Sequence, residues 1–490
     1  MDLDGWVPMR WPCGPLEIER GKRREGFTAR EADTLTQWCD PRVLELVAGT
    51  PVNCLVVTWA EGSVGDEAHQ QALLPLVAAA RGRGLTVVGW VAGVADLQRA
   101  AGKAQAAGLS AIATESHEPL AGLEVLRFRK RGFAARPRVA FFGDLDAVWP
   151  GMRVDPASGV DAVSGPTGPP WLDSNAWHVR LVHSLVEPKV VWLSFDPPDL
   201  GQPSSSTSYA QAIADTEIGG ARWVVSLDPH LRLGLVERRA SALETWTGIG
   251  RGLAFFGAHR AWASYLPAGQ LGVVSDYAGP NEFLSFEVLN LLARQGSLYR
   301  VLEKGRALGV PFDGLDGILY VDQAPPGADL VRKLYAFAEG GGTLITPPGW
   351  EERGVRDDDA WRPPFGVFRY GNGRLAVARA ELEDPQRLAE DAQILMSHRH
   401  DQVRVWNAGT AQHHLATSRD GRCGVLHTLL FPSPYRRMPM TVWFRRPWAK
   451  ARVFTVEAEE PVPAGRSEVE TGVEFHLPHV PVYCALEVSA

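Results

Sequence analysis

Leu109–Ser110–Ala111–Ile112–Ala113–Thr114–Glu115–Ser116 is a short apolar run of β type, ended by a carboxylate with small polar neighbours. A helix-like segment from about Asp96 to Ala107 precedes it, and Gly108 makes the turn between them. Upstream the same alternation repeats. Trp6–Trp11 reads as a first strand, Val52–Trp59 as a second and Leu85–Ala92 as a third, each nearly continuous in apolar residues, as buried parallel strands are. Thr28–Ala29–Arg30–Glu31 has the form of a helix start. Residues 66–82 carry Ala72, Leu73, Leu76, Val77 and Ala80 on one helical face. The run at 109–116 is therefore a fourth strand.

Downstream the count continues with Leu123–Phe128, Arg138–Phe142, Val190–Phe195 and Arg222–Leu227, with helices at 174–186, 207–218 and about 240–263. Alternating strands and helices with right-handed crossovers leave an open doubly wound sheet or a closed barrel. No Gly-rich phosphate loop follows the first strand, and eight strands in this span match a barrel, so the fold class expected is α/β, a (β/α)8 TIM barrel over residues 1–266. Glu115 would then lie at the C-terminal mouth, where such barrels keep their chemistry.

Pro267–Ala268–Gly269 reads as a linker. A smaller α/β pattern follows over 267–400: strands Gln270–Ser275, Tyr299–Glu303, Gly317–Val321 and Thr343–Thr346, with helices Asn281–Arg294 and Ala328–Glu339. This predicts a flavodoxin-like domain. From Asp401 to Ala490 short strands separated by turn residues predict a β-sandwich: Val403–Trp406, His413–Thr417, Gly424–Phe431, Met440–Phe444, Ala451–Val456, Glu468–His476 and Val482–Val488.

Composition narrows the classes of function. The 490 residues are 45% hydrophobic and 22% charged with a net charge of −7, which argues against nucleic acid or an anionic membrane as partner. Lys22–Arg23–Arg24 sits beside Glu19 and Glu25 and reads as a solvated loop. The cysteines Cys13, Cys39, Cys54, Cys423 and Cys484 have no C-x-x-C spacing, so reduced thiols are expected and no zinc site. His398–Arg399–His400 and His413–His414 lack a carboxylate pattern for a metal. No cofactor is expected. The N-terminus has no secretory pattern and no run of 18 apolar residues occurs, which makes the cytoplasm the expected compartment. Seventeen tryptophans against nine tyrosines is unusual, and indole faces are suited to stacking on sugar rings.

The middle region carries a more specific likeness. Phe312–Asp313–Gly314–Leu315–Asp316–Gly317–Ile318–Leu319–Tyr320–Val321–Asp322–Gln323, followed by Leu334–Tyr335–Ala336–Phe337–Ala338–Glu339–Gly340–Gly341–Gly342–Thr343–Leu344–Ile345, resembles the core of the glutaminase-like trimerisation domain of β-galactosidases. The order barrel, glutaminase-like domain, small β domain is also that of these enzymes. The resemblance implies a glycoside hydrolase acting on a β-linked sugar, and a middle domain that serves homo-oligomer contacts. No cysteine lies between Cys54 and Cys423, so that domain lacks the nucleophile an active glutaminase needs. The family has Asn-Glu after strand four and Glu after strand seven; here the corresponding pairs are Thr114–Glu115 and Phe195–Asp196.

Glycoside hydrolysis needs two carboxyl groups flanking the anomeric carbon. Glu115 is expected as general acid and Asp196 as nucleophile or base; the shorter Asp leaves retention and inversion both open. Asp144 and Asp228 are further strand-end carboxylates expected near substrate. Asp196 and Asp228 each also precede proline, where an Asp starts a turn. The Pro-rich segment 164–175 offers Trp171 for stacking and Asp173 and Asn175 for hydroxyls, while Trp11, Trp59 and Trp149 fall at or just after strand ends. The alternative is a catalytically degenerate barrel that binds carbohydrate or serves assembly.

Overall fold

The computed structural model describes residues 3–116, 118, 120, 122–129, 139–142, 147–152, 172–185, 190–199, 201–357, 364–431, 439–478, 480 and 482–490. Two compact units divide the chain. One comprises Met1–Trp149 with Val186–Arg260, the other Pro150–Leu185 with Ala261–Ala490.

In the first unit eight strands form one parallel sheet in chain order: β1 (Pro8–Arg10), β2 (Cys54–Ala60), β3 (Thr86–Val91), β4 (Ala111–Thr114), β5 (Glu124–Arg129), β6 (Val139–Phe142), β7 (Val190–Leu193) and β8 (Arg222–Trp223). These are the strands read from the sequence. The Arg10 N–H donates to the Val225 carbonyl (2.8 Å) and the Val225 N–H to that of Pro8 (3.0 Å). The free edge of β1 thus carries the segment that directly follows β8. Side chains from around the sheet meet in one core that includes Val56, Val88, Ala113, Leu126, Trp192 and Val224. All seven residues of β2 are buried, as expected of a strand covered on both faces.

The helices obey local chemistry. α1 (Pro15–Lys22) starts at Gly14, whose φ of +86° is the left-handed conformation, with proline next at N1. A Cβ on Gly14 would lie 2.9 Å from the His69 ring and 3.2 Å from the Cys39 sulfur, so the close approach also requires glycine. α2 (Ala29–Gln37) opens with the Thr28/Glu31 capping box. α3 (Asp66–Gly82) buries Leu73, Leu76, Val77 and Ala80 of the predicted stripe, while Ala72 is half-buried. α4 (Leu97–Ala107) is capped by Asp96, which accepts from the Arg99 N–H (2.8 Å), and ends at left-handed Gly108. After β7 come α5 (Ser206–Glu217), α6 (Pro229–Val236) and α7 (Ala240–Ala258).

The second unit begins earlier in the chain than the linker expectation implied. The helix Ala176–Leu185, expected as the crossover between the sixth and seventh strands, groups with this unit, where Leu181 joins a core with Leu271, Val273 and Val288. Its α/β sheet has the order β10 (Tyr299–Glu303), β9 (Leu271–Ser275), β11 (Gly317–Tyr320), β12 (Thr343–Thr346), β14 (Gly373–Ala378), β13 (Phe365–Tyr370) and a final short strand Val355–Arg356. The first five run parallel, and the last two each pair antiparallel with the strand before them in this order. Pro267, read as the start of the linker, instead lies with Leu266 in an edge strand antiparallel to Ala416–Thr417. An edge position tolerates proline because the missing N–H would face away from the ladder.

The C-terminal part pairs a six-stranded and a four-stranded antiparallel sheet over a shared core that includes Leu426, Val442, Phe444, Val473 and Leu486. The run expected as one strand at 468–476 is two, Gly465–Val469 and Gly472–Leu477, folded back at a turn. Among the described residues, no helix is long and apolar enough to cross a membrane.

Candidate active site

A cavity of about 280 Å³ opens in the first unit at the C-terminal ends of β1, β7 and β8. Its charged groups come from separate elements. Arg10 ends β1, Glu17 lies on α1, Asp196 follows β7, Ser226 and Asp228 follow β8, and Arg232 lies on α6.

Asp196 is the most open of these carboxylates, with 53% of its side chain exposed. The Arg10 guanidinium donates to its Oδ2 (2.8 Å) and the Ser226 hydroxyl to its Oδ1. Partial burial pushes its pKa up, but Arg10, the Ser226 hydrogen bond and the charge of Arg232 outweigh that and hold it below the usual carboxylate range. Asp196 is therefore an ionised, oriented group at neutral pH.

Glu17 is a buried anion, 7% exposed. Its carboxylate accepts from Arg20 (3.0 and 3.1 Å) and from the Thr58 hydroxyl, while Arg20 also pairs with Glu61. Burial raises its pKa; Arg10, Arg20 and Thr58 together bring it below the ordinary value. Beneath it, the His69 Nδ1 accepts from the Leu16 N–H (3.2 Å) and Nε2 lies 2.9 Å from the Thr58 carbonyl, which assigns the proton to Nε2. Burial lowers the pKa of His69 and keeps the ring neutral.

Asp228 lines the cavity but serves the fold. It is 1% exposed and caps α6 by accepting from the Leu231 N–H (2.8 Å), and it also accepts from the Ser204 N–H (3.1 Å) and the Tyr209 hydroxyl (3.0 Å). The Tyr209 pKa is raised by burial and by this carboxylate. The turn-starting alternative noted for Asp228 is the one its contacts match.

The remaining expected residues separate into groups. Glu115 follows β4 with an exposed side chain, and it is not among the residues that line the cavity. Trp11 and Trp59 are 0% and 1% exposed, and their indole N–H groups donate to the carbonyls of Trp38 (2.9 Å) and Ala100 (3.2 Å). Both are core residues with no face left for a sugar, which corrects the expectation that they stack on substrate. Trp149 keeps some exposed surface and meets Tyr209 and Trp223 edge-on, with ring centres 5.3 and 5.9 Å apart. Asp173 and Asn175 belong to the second unit, where Asp173 sits in a two-residue strand antiparallel to Gly151–Met152 and the Asn175 carbonyl accepts from the Val179 N–H (3.0 Å). Asp144 and Trp171 lie outside the described residues.

Sequence reasoning missed Arg10, Glu17, Ser226 and Arg232. The strand-end rule applied to Glu115 would have selected Arg10. Spacing carried the rest of the signal: Glu17 and Arg20 are three apart on one helix, and Asp228 and Arg232 four apart. Arg24, read as part of a solvated loop, lines the cavity and pairs with Glu31 and with Asp199 (3.4 Å).

No protein-family model and no curated protein matches this chain. Among solved structures, α-L-fucosidase isoenzyme 2 from Paenibacillus thiaminolyticus is similar in fold over 99% of both chains, at 11% identity and a TM-score of 0.54. A β-galactosidase from the Antarctic haloarchaeon Halorubrum lacusprofundi has 10% identity and a TM-score of 0.48, with 92% of this chain and 96% of that one covered. One from Bacillus circulans sp. alkalophilus has 10% identity and a TM-score of 0.45, with 86% and 67% covered. The first is a likeness of fold along the whole chain.

Proposed function

We propose that this chain is a glycosidase whose first unit is a closed (β/α)8 barrel with its site at the C-terminal ends of the strands. The observation that carries the reading is Asp196: an ionised carboxylate, fixed by Arg10 and Ser226, on the wall of an open cavity at that end of the sheet. The Met9–Val225 bridge supports closure, because it brings the first strand against the residues after the last. In this reading Asp196 attacks the anomeric carbon or activates water. Glu115, exposed at the end of β4, protonates the leaving oxygen of a β-linked glycoside. The reading needs no cofactor, since both roles are proton or carboxylate chemistry.

A second reading, a degenerate barrel that binds sugar without cleaving it, is favoured by one observation. Both Asp196 oxygens already accept hydrogen bonds, and the Glu115 side chain does not line the same cavity. Assay of wild type and Glu115→Gln against a panel of 4-nitrophenyl glycosides that includes β-galactosides and α-L-fucosides separates the two. The glycosidase reading expects turnover of at least one member and a loss of about 10²–10⁴-fold on substitution, greatest for substrates with poor leaving groups. Turnover unaffected by the substitution removes Glu115 as acid. Absence of turnover together with saturable sugar binding favours the degenerate barrel.

A further inference from the structure

The guanidinium groups around the cavity are not equivalent. Arg10 is paired with Asp196, Arg20 with Glu17 and Glu61, and Arg24 with Glu31 and Asp199. Arg232 differs. Its side chain makes no hydrogen bond and no ion pair among the described residues, and its Nε is sealed from solvent without an acceptor. The carboxylates whose charge it feels are Asp196, Glu17 and Asp228, with Arg10 opposing. Each of them is already claimed by other donors: Arg10 and Ser226 on Asp196, Arg20 and Thr58 on Glu17, and Leu231, Ser204 and Tyr209 on Asp228. Among the described residues a planar fork of donors is thus left without an acceptor, at the wall of a cavity of about 280 Å³, just below the usual size of ligand sites.

We infer that Arg232 receives an oxyanion carried by the sugar, so that the substrate class is an acidic glycoside, a uronide or a sugar sulfate ester. Carboxylate and sulfate oxygens match a guanidinium fork two at a time, which hydroxyls of a neutral sugar do not. Cleavage of such a sugar rests on the glycosidase reading above; the binding of the anion does not. Recognition beside Asp196 is electrostatically workable because Arg10 and Arg232 both offset that carboxylate.

Calorimetric titration of the full chain tests the inference, with D-glucuronate, D-galacturonate and galactose 6-sulfate set against glucose, galactose and L-fucose. The expected result is acidic sugars bound about ten- to a hundredfold more tightly than their neutral parents. Arg232→Gln should erase that preference, and Arg232→Lys should retain part of it, which controls for misfolding. Uronates ahead of the sulfate identify a carboxylate ligand, and the reverse order a sulfate ester. Equal affinity for acidic and neutral sugars, no binding of either, or a preference that survives Arg232→Gln overturns the inference. If acidic sugars bind but their 4-nitrophenyl glycosides are not cleaved, the inference stands and the glycosidase reading falls. If neutral glycosides are cleaved without any acidic preference, the outcome is reversed.

Discussion

Asp228 and Asp196 look alike in the sequence, each an aspartate before proline at a strand end, and their surroundings give them opposite roles. Asp228 is enclosed by three donors, so Asp228→Ala removes a helix cap and leaves the Ser204 N–H and Tyr209 hydroxyl without their acceptor. The expected cost is about 2–4 kcal/mol of stability, measured by urea denaturation. Asp196 faces the cavity, and its low pKa depends on Arg10. Arg10→Met withdraws that cation, so the Asp196 pKa rises and the acidic limb of any pH–activity profile moves to higher pH. An acidic limb that stays in place would mean that another group sets it. Trp11 and Trp59 carry a related lesson: Trp59→Ala is expected to cost about 3–5 kcal/mol through an unfilled core. Strand-end position was readable for all these residues. Whether a side chain turns into a cavity or is enclosed depends on partners distant in the chain, such as Tyr209 for Asp228, and no local pattern encodes that.

Elements were the most readable level. Apolar strands alternating with striped helices located β1 to β8 without help from tertiary contacts, because strands such as β2, β4 and β7 are buried on both faces and a helix such as α3 on one. Besides the run at 468–476, which is two strands, two elements were misassigned for physical reasons. Pro267–Ala268–Gly269 has linker composition, yet Pro267 lies with Leu266 in an edge strand, which accepts proline as readily as a linker does. The helix Ala176–Leu185 has the length and pattern of a crossover, and only its apolar partners around Leu271 and Val288 assign it to the second unit. The junction between β1 and the residue after β8 offers a direct test at this scale. Val225→Pro removes the donor to the Pro8 carbonyl, and a loss of about 3 kcal/mol or more is expected by chemical denaturation. A loss below about 1 kcal/mol would mean that the two ends of the sheet do not depend on each other.

At the scale of the whole molecule, the second unit contains buried histidines that the first does not need for its site. His413 and His427 are 5% and 4% exposed, and burial lowers their pKa values to about 4 and about 3. The neutral ring is the native form, so the unfolded chain binds more protons below the ordinary value of 6.5. Their contribution is complete above pH 6.5 and is lost as the pH falls from there toward the folded values. Melting temperature should therefore drop between neutral pH and pH ~5, where Asp196 and Glu17 are still ionised, and His427→Gln should flatten that drop. A pH-independent melting temperature over that window would contradict it.

The claim on which the functional account rests is that Asp196 takes part in chemistry at the strand ends. The most direct measurement is kcat/KM of wild type against Asp196→Asn on the best glycoside of the panel, with melting temperatures recorded in parallel. The account predicts a fall of about 10²–10⁴-fold or more with the fold intact. Equal kcat/KM for the two proteins would contradict it.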